Sequence, residues 1–130
     1  MKKILLVDDS PTVLMLQKAL LKSDSLTFVT ASDGVQAIEV ARRERPDVIL
    51  LDIVMPNMDG IAACRALREM PETRTTPILM VTTRSDDAQM AAAKAAGCTG
   101  YLLKPFTKAE VMAKLEEVMT RSGEEQVRNT

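Results

Sequence analysis

The sequence predicts an α/β domain, an open sheet of five parallel strands with helices on both faces. Three observations carry that expectation. Five short β-prone stretches recur along the 130 residues, most of them apolar without alternation, as in strands buried on both faces. Segments with apolar residues at helical spacing separate them. Four of the five stretches end in a charged or hydroxyl residue, which places polar groups along one edge of the sheet.

Ile4-Leu5-Leu6-Val7 is the first run and stops at Asp8-Asp9. Pro11 suits a first helical position with Ser10 as its cap, and Val13, Leu16 and Leu20 continue at helical intervals. Leu26 to Ala31 is the second strand. Val35, Ile38 and Ala41 resume helical spacing until Pro46, and Arg42, Arg43 and Arg45 fall where cations complement a helix C-terminus. Val48-Ile49-Leu50-Leu51 stops at Asp52. Asp59-Gly60 opens a helix carrying Ile61, Cys64, Leu67 and Arg68, which ends before Pro71. Ile78-Leu79-Met80-Val81 stops at Thr82. Asp86-Asp87 opens an Ala-rich helix that Gly97 closes. Tyr101-Leu102-Leu103 stops at Lys104. Thr107 caps the last helix, whose stripe is Val111, Leu115, Val118 and Met119. Strands alternating with helices through short loops give a parallel sheet covered on both faces. One domain is expected over residues 1–120, with 121–130 a polar, disordered tail and no repeat, linker or second domain.

Apolar residues make up 46% of the chain and aromatics 2%, so Leu, Ile, Val, Met and Ala must fill the core. Met15, Met80 and Met112 are expected there, whereas Met55 and Met58 flank the loop after the third strand and Met90 is a candidate for exposure. A net charge of −1 offers no field for nucleic acid or an anionic membrane. The first apolar run is too short for a secretory signal, and no run approaches a membrane span. Cys64 and Cys98 lack metal-ligand spacing, so reduced thiols in the cytoplasm are expected. The chain has no histidine, which excludes a Ser-His-Asp triad, a histidine-bound metal and a phosphohistidine of its own.

Asp8, Asp9, Asp52, Thr82 and Lys104 all fall at the C-terminal ends of strands, where parallel sheets bind ligands. Taken singly, each has a plainer reading. Asp8-Asp9 could be loop acids, Thr82 a structural hydroxyl, Lys104-Pro105 a turn and Asp52 a solvated acid. Taken together, three carboxylates, a hydroxyl and an ammonium would share one shallow pocket. Carboxylates so close repel, and one pKa must rise unless a cation intervenes. Mg²⁺ is hard, prefers oxygen and is held by carboxylates together with waters and phosphate oxygens. One carboxylate is then free to act as a nucleophile and form an aspartyl phosphate. Lys104 would pair with the transferred oxygens, and Thr82 would hydrogen-bond another.

The stretches Val7-Asp8-Asp9-Ser10, Leu51 to Gly60 (LDIVMPNMDG) and Tyr101 to Phe106 (YLLKPF) resemble the response-regulator receiver family of two-component signalling. The resemblance runs from about Lys3 to Met119. It implies a flavodoxin-like, doubly wound sheet of order 2-1-3-4-5, an order taken from the family and not from the apolar runs. It implies Asp52 as phosphoacceptor, and Asp9, Asp52 and the Val54 carbonyl as direct Mg²⁺ ligands, with Asp8 acting through a metal-bound water. Lys104 would bridge to the phosphoryl group, and the Lys104-Pro105 bond is expected to be cis. Thr82 and Tyr101 resemble the switch pair, with output through the fourth helix, fifth strand and fifth helix. Val54 and Arg84 depart from the best-known members, where Asn and Glu can stand. These positions tune self-dephosphorylation, so an apolar residue and a long cation imply slow loss of the phosphoryl group.

The favoured expectation is a phosphorylation-controlled binding module acting without an attached effector. Since the chain has no histidine, its donor is expected to be a sensor histidine kinase or histidine phosphotransfer protein. The module is expected to be a monomer or a weak phosphorylation-dependent dimer. A Mg²⁺-dependent aspartyl phosphatase of the haloacid dehalogenase type is the enzymatic alternative, but it needs a second Asp where Val54 stands, and a cap domain. A receiver that no longer uses phosphate is the second alternative, although no signature residue is lost. A DNA-binding regulator is disfavoured, since too little chain follows Met119 for a helix-turn-helix and no basic stripe appears.

Overall fold

The computed structural model describes residues 2–83 and 86–128, the side chains of 121–128 excepted. Ten elements alternate strictly: β1 (Lys2–Val7), α1 (Pro11–Leu21), β2 (Leu26–Ala31), α2 (Gly34–Glu44), β3 (Val48–Asp52), α3 (Gly60–Glu69), β4 (Ile78–Thr82), α4 (Asp87–Ala95), β5 (Gly100–Leu103) and α5 (Lys108–Arg128). The sheet is parallel throughout, in the order β2-β1-β3-β4-β5, as the family resemblance implies.

Strand alternation divides the core in two. Leu5, Val7, Ile49, Leu51, Ile78 and Met80 face one side and pack against Ala37 and Ala41 of α2, Ala63, Cys64 and Leu67 of α3, and Ala93 of α4. Ile4, Leu6, Val48, Leu50, Leu79 and Val81 face the other and meet Leu21 of α1 with Val111, Leu115 and Val118 of α5. Central strands β3 and β4 are buried along their whole length, which is why their sequences show no alternation.

Each helix begins on a side-chain cap that satisfies an otherwise orphaned amide. Ser10, Asp33, Asp59 and Asp86 accept from the amides of Val13, Gln36, Ala62 and Gln89. Thr107 and Glu110 form a reciprocal capping box at α5. The cap Asp33 was not legible beforehand, because Ser32 and Asp33 precede a glycine in a stretch that reads as a plain turn.

Three expectations are corrected. Met15 and Leu16 are 67% and 64% exposed, because α1 buries the stripe Gln17 and Leu21, with Leu14 alongside. The helix is apolar around most of its circumference, so periodicity alone did not set its phase. Val35, in the first turn of α2, is also exposed. Arg68 belongs to no apolar stripe: its guanidinium donates to the carbonyls of Gly97, Thr73, Arg74 and Thr76. The helix α5 runs on to Arg128. No helix among the described residues is long and apolar enough to cross a membrane.

Candidate functional site

The chain leaves β1 in one direction to reach β2 and later returns to place β3 on β1's other side. The strand order reverses there, and a crevice opens at the C-terminal ends. Asp8 and Asp9 follow β1, Asp52 is the last residue of β3, Thr82 the last of β4, and Lys104 follows β5. Register brings them level: Val7 pairs with Leu51, Asp52 with Val81, and Thr82 with Leu103.

Carboxylate oxygens of Asp8, Asp9 and Asp52 lie within 4.8 Å of one another. The Lys104 Nζ is 2.8 Å from Asp8 Oδ2 and 3.5 Å from Asp52 Oδ1. Asp8 is buried, and its other oxygen accepts the Ser10 amide at 2.9 Å. That bond locks the carboxylate against the start of α1. Asp9 is exposed and forms the open rim.

Burial pushes the Asp52 carboxyl up to a pKa of about 6; Lys104 opposes the rise, and the Asp8 and Asp9 charges add to it. Burial alone would lower the Lys104 ammonium, but its bond to Asp8 and the charges of Asp52 and Asp8 outweigh burial and raise it. One ammonium thus pairs with two of the three carboxylates, Asp8 and Asp52. This crowded set of hard oxygens fits a divalent cation such as Mg²⁺.

The loop after β3 is held from two sides. The Gly60 amide donates to the Ile53 carbonyl at 2.8 Å, and a Cβ at Gly60 would collide with the Asp52 carbonyl. Only glycine permits that approach. Asn57, in the left-handed region at φ 66°, donates to Asp33 Oδ2 at 2.8 Å. Val54 is 68% exposed on this loop. Lys104 and Pro105 are joined by a cis peptide. Arg84 lies outside the described residues.

Thr82 is buried, and its hydroxyl donates to Gln89 Oε1 at 3.4 Å. Tyr101, half-buried on β5, donates to the Gln89 carbonyl at 3.3 Å. Burial raises the Tyr101 phenol, with the neighbouring Cys98 and Asp86 adding to the effect. Sequence reasoning missed Gln89. A glutamine in the first turn of an Ala-rich helix reads as a solvated position, and only the folded distance shows otherwise.

The profile of the response regulator receiver domain matches residues 4–116. PilH of Pseudomonas aeruginosa is 35% identical over 119 residues, covering 92% of this chain and 98% of PilH. The alkaline phosphatase synthesis regulator PhoP of Bacillus subtilis is 36% identical over 93% of this chain but only 50% of PhoP. The chain thus spans about half of several such regulators and nearly the whole of PilH. Among solved structures, the chemotaxis protein CheY4 of Vibrio cholerae superposes with TM-score 0.86 at 36% identity, covering 91% of this chain and 98% of that one. The receiver domain of a Pseudomonas aeruginosa sensor histidine kinase, with magnesium in its active-site cleft, superposes with TM-score 0.85 at 34% identity, covering 92% and 98%.

The chain belongs to the response regulator receiver family. Members of this family are signalling switches of two-component systems and not classical enzymes.

Proposed function

We propose that this chain is a phosphorylation-activated switch of the cytoplasm in which Asp52 takes a phosphoryl group from a phosphohistidine on a sensor kinase or histidine phosphotransfer protein. The observation that carries the reading is the convergence of Asp8, Asp9, Asp52 and Lys104 at one crevice. A carboxylate oxygen of Asp52 attacks phosphorus, the donor's P–N bond breaks, and the imidazole leaves with a proton. Asp8, Asp9 and Asp52, with the Val54 carbonyl, would hold Mg²⁺. When bound, the cation neutralises the carboxylates and the transferring oxygens. Lys104, held 2.8 Å from Asp8, stands ready to pair with a phosphoryl oxygen, and the Thr82 hydroxyl to bond another.

Output through α4, β5 and α5 is supported by the small anchor of α4, where only Ala93 is buried among the helix residues, and by the half-exposed Leu103 on β5. The chain acts as a monomer or as a weak, phosphorylation-dependent dimer. Val54, exposed beside the acceptor loop, offers no polar group to an attacking water. Val54→Asn is therefore expected to speed loss of the phosphoryl group severalfold in single-turnover decay. Incubation with acetyl phosphate and Mg²⁺ tests the whole reading by intact mass. A phosphoryl adduct on the wild type and none on Asp52→Asn is expected; an adduct on both, or on neither, overturns it.

A further inference from the structure

Gln89 makes two contacts with the pair of residues flanking the crevice's output side. Its amide oxygen accepts from Thr82, and its backbone carbonyl accepts from Tyr101. It lies in the first turn of α4, where its own amide is tied to the cap Asp86 at 3.0 Å. One residue therefore connects the end of β4, the ring on β5 and the start of α4.

Resting on the reading of Asp52 as phosphoacceptor, we propose that Gln89 is a positioning residue that competes with the phosphoryl group for the Thr82 hydroxyl. Its surrender of that hydroxyl is the step that releases the first turn of α4. The geometry decides the direction of exchange. An O–H···O bond of 3.4 Å is far longer than the usual 2.7–2.8 Å, so the tether is weak. A bond from the same hydroxyl to an anionic phosphoryl oxygen is charge-assisted and roughly twice as strong as a neutral one. A tighter Gln89 bond would hold the switch off, and a missing one would leave α4 untethered before any signal. At the other end of α4, Arg68 holds the Gly97 carbonyl at 2.9 Å. Release therefore acts on the helix start while its far end stays fixed.

Gln89→Met keeps the side-chain length and removes the acceptor. Tyr101 is the only tyrosine and the chain has no tryptophan, so tyrosine emission reads that ring alone. Titration with beryllofluoride in Mg²⁺, a stand-in for the phosphoryl group, is the experiment. The variant should bind beryllofluoride about fivefold more tightly than the wild type, and its emission before addition should already be shifted toward the bound value. In a Thr82→Val background the affinity gain should vanish, which a merely structural role of Gln89 would not produce. Binding within twofold of wild type, or an undiminished gain without the Thr82 hydroxyl, overturns the inference while leaving Asp52 as acceptor. Failure of the wild type itself to bind beryllofluoride overturns both.

Discussion

At Asp52, burial and two neighbouring carboxylates outweigh one lysine, and the carboxyl titrates at about 6 instead of its ordinary 3.8. An acid whose pKa is raised by folding holds its proton more tightly in the folded chain. The associated stability is present below the unfolded pKa and is lost as pH rises toward about 6. In the absence of divalent cations, Asp52→Asn is therefore expected to be more stable than the wild type at pH 7, by about 1–2 kcal/mol once solvent screening in the open cleft is allowed for. The difference should fade below pH 4. Urea unfolding in a chelator at both pH values measures it, and an Asn variant less stable at pH 7 would mean that Lys104 alone balances the cleft. Asp8, Asp52, Thr82 and Lys104 were legible as a group because each interrupts or follows an apolar run. Their convergence is a consequence of parallel strands ending at one edge. Gln89 and the Asn57–Asp33 bond were not legible, because each joins a helix or loop residue to a partner set by tertiary distance, with no periodic signal in the sequence.

Among the elements, α3 and α4 show how a helix end is fixed without a large apolar face. Only Ala93 of α4 is buried, and alanine contributes little area. The compensation is Arg68 on α3, which donates to three carbonyls of the segment before β4, to the Gly97 carbonyl after α4 and to the Thr99 hydroxyl. Arg68→Met keeps the stem and removes the donors. It is expected to destabilise the fold by about 2–3 kcal/mol, since hydrogen bonds to charged groups exceed neutral ones and their carbonyls would lose partners. Hydrogen exchange should accelerate first in α4 and in residues 70–77. A uniform change across the sheet would instead indicate general loss of packing. The role of Arg68 was hidden by its place at i+4 from Cys64, where a long stem resembles part of an apolar stripe. The opposite error arose at α1, where so many apolar residues surround the helix that the chain alone left two faces open. Packing selected the face of Leu14, Gln17 and Leu21.

For the whole molecule, the same architecture that buries β3 and β4 on both faces gathers acids where no helix covers them. The two core clusters lie one on each side of the sheet, and the first reaches the rim of the crevice through Val7, Ile53 and Met55. The acidic edge is thus a local electrostatic strain on an otherwise apolar body, and a divalent cation should relieve it. A ligand that binds only the folded state stabilises by RT ln(1 + [L]/Kd), or about 1.4 kcal/mol at tenfold excess over Kd. For a domain of this size that corresponds to a rise in Tm of about 5 °C. Calorimetry with increasing Mg²⁺ is expected to show such a saturating rise for the wild type. Asp9→Asn, whose side chain is exposed and has little to lose in folding, should keep its metal-free Tm and lose most of the Mg²⁺ response. An equal response in both proteins would put the cation elsewhere on the surface, and a response to sodium at matched ionic strength would reduce the effect to screening. Because Asp9 is the rim acid and Asp8 is already bound to Lys104 and Ser10, the division of labour within the cleft is open to this one comparison.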